Sequence, residues 1–170
     1  MAISTLATPR PRALSTILGG GLLAGILDHA DATIHFTLMM GIPQSAMFHY
    51  IASGLIGMKA SMRLGPVGVL LGVLLHFTIA IGAAAVYYLA ALKLPILIRR
   101  PFFSGTIFGL GLYIFMTYIV VPLSAVPKNP HQTFSWIELA SGLFAHIVLI
   151  GIPIALIAQR SARVKPSKAV

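Results

Sequence analysis

Three polar side chains lie in an apolar stretch of the chain, Asp28, Asp31 and His35, within the run from Ala13 to Met40. The chain has three acidic residues, and two of them are here. On a helix the three positions fall within about 60° of one another, so they share a face. A carboxylate and an imidazole at i and i+4, as Asp31 and His35 are, can share one ligand. At the centre of a bilayer each aspartate costs about 2.5–3.5 kcal/mol, or about 5–7 kcal/mol for two without partners. Such a cost points to an ion, a proton path or a buried partner.

Two more histidines fall at a matching depth. Counted from the same membrane face, Asp28, Asp31 and His35 lie about five to twelve residues in. His76 lies about ten residues in and His146 about eleven. All five belong to the outer half or the midplane, so neighbouring helices can bring them together. Tyr113, Met116 or Thr117 would join from the third span.

Carboxylate with imidazole suits a divalent Zn, Mn or Fe ion bound by Asp28, Asp31, His35, His76 and His146. His76 and His146 on facing helices can equally hold a haem iron from two sides. The same groups can relay protons, since histidine titrates near neutral pH. A purely structural Asp–His hydrogen bond between helices is the plain alternative. His29 points about 100° away from Asp28 and is set outside the group. His49 and His131 belong to outer segments, exposed or guarding an entrance.

The elements that must position these residues follow from composition. Of 170 residues, 58% are hydrophobic and 9% charged, with a mean hydropathy of +0.94. Four apolar stretches, about 15–40, 66–91, 102–123 and 136–158, are each long enough to cross a hydrocarbon core of about 30 Å. A backbone in lipid must satisfy its own hydrogen bonds, so these stretches are helices. The expected fold is an all-α membrane protein with four transmembrane helices in an antiparallel bundle. The expected domains are a cytoplasmic segment 1–12, a transmembrane domain 13–160 and a basic tail 161–170.

Between the first two spans, segment 44–60 is too short to cross. Met47, Tyr50, Ile51, Leu55 and Met58 follow helical spacing, with Gln44, Ser45, His49 and Ser53 elsewhere. That pattern predicts a short amphipathic helix in the outer interface, or one tucked back over the bundle. Tyr87 and Tyr88 fall where an aromatic belt would form at the inner end. Ser135-Trp136-Ile137-Glu138 has the form of a capping box, so Glu138 reads as a helix cap.

The net charge of +9 does not indicate nucleic acid. Arg10, Arg12, Lys93, Arg99, Arg100, Arg160, Arg163, Lys165 and Lys168 fall on one side of the spans. Lys59, Arg63 and Lys128 fall on the other. The excess places both termini in the cytoplasm. With no cysteine, disulfides, thiolate metal sites and cysteine nucleophiles are excluded. No zincin, nucleophile-elbow or phosphate-loop motif is present, so the sequence offers no support for an enzyme.

Arg10 and Arg12, the apolar run Ala13 to Leu27, and Ala30-Asp31-Ala32 have the outline of a signal peptide with its cleavage site. The run resumes to Met40, as an uncleaved span would. A faint internal repeat is also visible. Gly72 to His76 resembles Gly142 to His146, and Gly21-x-x-x-Gly25 resembles Gly105-x-x-x-Gly109. Two helical hairpins in the same orientation would produce it, as would small residues at helix crossings.

Several stretches resemble a family of small, uncharacterised bacterial integral membrane proteins with four helices. They are Gly21 to Asp28, Tyr50 to Gly57, Leu75-His76-Phe77, Ala83 to Tyr88, Val121 to Lys128, and His146 with Gly151 to Leu156. The resemblance implies a bacterial inner-membrane location and four helices, and no activity. Asp28, His76 and His146 fall inside these stretches; Asp31 and His35 fall outside. The expectations are thus a metal or haem site, a proton-coupled small-solute transporter or channel, or an accessory subunit of a larger membrane complex. The lipid bilayer is the one implied partner, with a homo-oligomer for transport.

Overall fold

Every regular element among the described residues is helical, as a chain of long apolar runs requires. The computed structural model describes residues 10–128 and 134–163. His131 and the tail cations Lys165 and Lys168 lie outside them. Seven helices follow in order: α1 (Ser15–Met39), α2 (Gln44–Ile56), α3 (Met58–Arg63), α4 (Pro66–Lys93), α5 (Ile96–Arg99), α6 (Pro101–Leu123) and α7 (Trp136–Arg163). Four of them, α1, α4, α6 and α7, are long and apolar enough to cross a membrane. The chain is a multi-pass membrane protein by that measure. Proline opens α4 and α6, where its missing N–H costs nothing. Ser135 caps α7 by accepting from the Glu138 amide at 3.3 Å, as the capping box predicts. α7 runs five residues beyond the expected 158, to Arg163.

Glycines set the packing. Gly21 and Gly25 of α1 lie against Ile81, Phe77 and Ala80 of α4, too close to admit a methyl group. Gly105 and Gly109 of α6 lie against the backbone of Gly151, Ile152, His146 and Ile147 of α7 with the same closeness. α1 also packs on α7, whereas α4 and α6 scarcely touch along their length. The spans therefore run α4, α1, α7, α6 around the molecule, with a gap between the last and the first.

The solid core lies toward the end carrying Arg12, Lys93, Arg99, Arg100 and Arg160. It comprises Ala24, Ala84, Tyr87, Ile98, Ile154, Ala155 and Ala158. Thr16 and Ser161 are buried there, 3.1 Å apart. Tyr87 is not part of an aromatic belt: it is fully buried, and its hydroxyl donates to Leu97 O at 2.8 Å. The short connection from α4 to α6 brings Leu97 under the ring, which explains the departure.

α2 corrects the sequence reading more sharply. Its buried face is Phe48, His49, Ala52 and Ser53, while Tyr50 and Leu55 are 46% and 63% exposed. The helix thus buries two residues of the expected polar side, His49 and Ser53, together with Phe48 and Ala52, while Gln44 and Ser45 stay exposed. Gly68 and Gly72 of α4 are the cause, because they let the α2–α3 backbone press against α4. His49 and Ser61 satisfy each other at 2.9 Å within that contact. Gly57, with φ of +79°, supplies the break between α2 and α3.

Gly109→Ala should destabilise the protein by about 1–3 kcal/mol, the usual cost of overpacking a close contact. Gly111→Ala, where nothing lies within 4 Å, should stay within about 0.5 kcal/mol. Thermal unfolding in detergent, monitored by circular dichroism, checks both.

Candidate functional site

Beyond the solid core the molecule is hollow. A cavity of about 430 Å³ opens between the spans on the side away from the basic end, a size typical of small-molecule sites. Its walls are chiefly apolar: Leu75, Ile79 and Ala83 from α4, Leu112 and Met116 from α6, and Ile150 from α7. α2 supplies Tyr50, Ile51, Gly54 and Leu55, and the chain after α6 supplies Ser124 and Val126. Three titratable side chains reach the same cavity, Asp28 from α1, His76 from α4 and His146 from α7. Depth counting thus brings these three together as expected.

Hydrogen bonds define which ring nitrogens carry protons. His76 Nε2 lies 2.9 Å from Gly25 O. A carbonyl only accepts, so Nε2 bears the hydrogen and the neutral ring leaves a lone pair on Nδ1. That Nδ1 faces the Asp28 carboxylate at 4.0 Å. In His146 the roles are reversed. Nδ1 lies 2.9 Å from Gly142 O and donates to it, leaving Nε2 as the acceptor. Nε2 of His146 has no hydrogen-bond partner among the described residues. His146 sits in a π-helical stretch, Ala145–Gly151, where the hydrogen-bond ladder is widened. The Tyr113 ring packs edge-on against it, 5.5 Å between centroids.

Asp31 and His35 do not line the cavity. Both are half-buried, and the His35 ring packs edge-on against its neighbour Phe36. α1 turns π-helical from Thr33 to Met39, and His35 stands about 10 Å along the helix from Asp28. His29, set aside by helical spacing, lies closer to the site. Its ring stacks on Phe48 at 5.0 Å and meets the His76 ring edge-on at 5.9 Å. The incoming α2 draws it there, a contact that single-helix geometry cannot contain. Met116 lines the cavity as expected, and Thr117 does not.

No group of three or more histidine, aspartate or glutamate side chains among the described residues is arranged to hold a metal ion. Asp28 and His76 face each other as a pair, and His146 reaches the cavity separately. In chemical terms the pair places two acceptor atoms, Asp28 Oδ2 and Nδ1 of neutral His76, 4.0 Å apart.

Comparison with protein-family models, with curated proteins and with solved structures finds no match to the chain.

The two rings should show opposite neutral tautomers, Nε2–H for His76 and Nδ1–H for His146. Nitrogen chemical shifts of histidine-labelled protein, assigned with His76→Gln and His146→Gln, check this. An Nδ1–H tautomer for neutral His76 would contradict the Gly25 hydrogen bond.

Proposed function

We propose that this chain is a proton-handling, solute-binding protein of a bacterial inner membrane, built as an antiparallel four-helix bundle with both termini in the cytoplasm. Asp28 and His76 share one proton at the polar end of the cavity, and His146 provides a second acceptor there. The observation that carries the reading is the His76 ring. Its Nε2–H is fixed on Gly25 O, so Nδ1 must face the carboxylate. A proton on either partner satisfies both. A protonated Asp28 donates toward Nδ1; a protonated His76 donates toward the carboxylate. Either form is overall neutral, which lowers the cost of keeping the acid inside a membrane.

The topology rests on the charge bias and on packing. Arg12 N donates to Ser161 Oγ at 3.0 Å, so the start of α1 meets the end of α7. The basic residues gather at that end, where the positive-inside rule puts the cytoplasm. The cavity then lies in the outer half of the membrane.

The expected behaviour is proton exchange linked to occupancy of the cavity. In proteoliposomes, an infrared difference spectrum across a pH step should contain one carboxylic band from the site. Asp28→Asn should remove that band, and His76→Gln should shift it along the pH axis. A spectrum unchanged by Asp28→Asn would refute the reading. A stoichiometric divalent metal or a Soret band in protein purified without chelator would replace the shared proton by a metal or haem at Asp28, His76 and His146.

A further inference from the structure

Among the described residues the cavity is bounded toward the basic end by the packed core, and toward the other end by α2 and the segment after α6. At the basic end it stops on the packed core of Ala84, Tyr87 and Ile154. At the other end the segment after α6 closes onto α2. Ala125 N donates to Gly54 O at 3.0 Å, and Ser124 and Val126 lie in contact range of Gly54. Beside the cavity lies the gap between α4 and α6.

That gap holds a second, almost wholly apolar groove of about 640 Å³. Ile79, Ala83, Leu112 and Met116 line both spaces, so the groove and the cavity adjoin across these four side chains. Gly82 and Gly111 edge the groove and have nothing within 4 Å of where a Cβ would stand. Both flanking helices have the length and hydropathy of membrane spans. The groove therefore meets hydrocarbon chains rather than water.

The polar end selects the head of whatever enters. The Asp28 carboxylate accepts hydrogen bonds, as do Nδ1 of neutral His76 and Nε2 of neutral His146. A head that fits three acceptors, one of them anionic, donates hydrogen bonds and carries positive charge. Building on the shared proton of Asp28 and His76, we propose that the cavity binds a membrane-dissolved amine amphiphile. Its ammonium sits among Asp28, His76 and His146, and its apolar chain lies along the groove between α4 and α6. The ammonium takes the place of the shared proton. One R–NH₃⁺ enters, one H⁺ leaves from the Asp28–His76 pair, and the charge of the site is unchanged.

The test uses the full chain in nanodiscs of a neutral lipid, with empty nanodiscs as the blank. The probes are dodecylamine, dodecanol and dodecanoate, which share a chain and differ in the head. Wild type should bind dodecylamine at least tenfold more tightly than either of the others, releasing about one proton per amine to a pH dye. Gly111→Phe and Gly82→Phe fill open space and should fold. Each should weaken amine binding at least tenfold while leaving the Asp28 infrared band in place. Asp28→Asn should abolish both amine selectivity and proton release. Equal binding of dodecanol would overturn the ammonium assignment but leave the shared proton standing. Unchanged binding in both glycine variants would overturn the lateral groove alone. Amine binding without proton release, or undiminished in Asp28→Asn, would overturn the exchange together with the proton-sharing reading beneath it.

Discussion

The hydrogen bond from His76 to Gly25 O forms where α1 packs on α4 at a residue with no side chain. Gly25 lies against the Phe77 ring and Ala80, and a methyl group there would require that ring to shift. A helical carbonyl in an apolar surrounding is normally spoken for by its own ladder. Here the absence of a side chain on Gly25 exposes its oxygen to a ring from the next helix. That one contact sets the tautomer of neutral His76 and leaves Nδ1 on the side of Asp28, at 4.0 Å. Helix packing and site chemistry are the same constraint seen from two sides.

The constraint also explains why the molecule is solid at one end and hollow at the other. Alanines and one buried tyrosine fill the space near the basic end, with Tyr87 bonded to the α4–α6 connection. Farther along, α4 is engaged on its other flank by α1 and by α2, through Gly25, Gly68 and Gly72. Among the described residues no glycine of α4 meets α6, and the two helices touch through the rings of Tyr87 and Phe108, 5.1 Å between centroids. The cavity lies between them beyond that contact, with α2 at its far end.

Much of this was legible in the sequence because lipid leaves few options. Four apolar runs of sufficient length become helices, and their limits emerge within a few residues of those expected, apart from the longer end of α7. The Ser135–Glu138 cap and the glycine pairs are local signals with local causes. Asp28, His76 and His146 were found by depth, which is a one-dimensional quantity. What failed needed a second element in view. His35 shares the face of Asp28 but stands about two turns farther along α1, and does not line the cavity. His29 was set aside because its neighbour, Phe48, arrives from α2. α2 itself was read by hydrophobic side alone, whereas Gly68 and Gly72 draw His49 and Ser53 inward together with Phe48 and Ala52. The signal for its role was present in the stretches Tyr50 to Gly57 and Val121 to Lys128, whose residues form the cavity's end wall.

The internal repeat carries the argument one step further. Gly25 meets Phe77, the residue after His76, and Gly109 meets Ile147, the residue after His146. Gly21 meets Ile81, and Gly105 meets Gly151 and Ile152, so the second contact in each half falls at nearly the same offset. The two hairpins α1–α4 and α6–α7 are therefore crossed in matching register, whether by duplication or by the same packing rule. In that register the counterpart of Asp28, three residues after Gly25, is Leu112, three residues after Gly109. Both line the cavity. A symmetric pair of acids would put two carboxylates into one small space, which only a further cation could tolerate. With leucine on one side and aspartate on the other, the cavity acquires one wetting wall and one apolar wall. That asymmetry, placed on a symmetric scaffold, is what a site for a polar head on an apolar body requires.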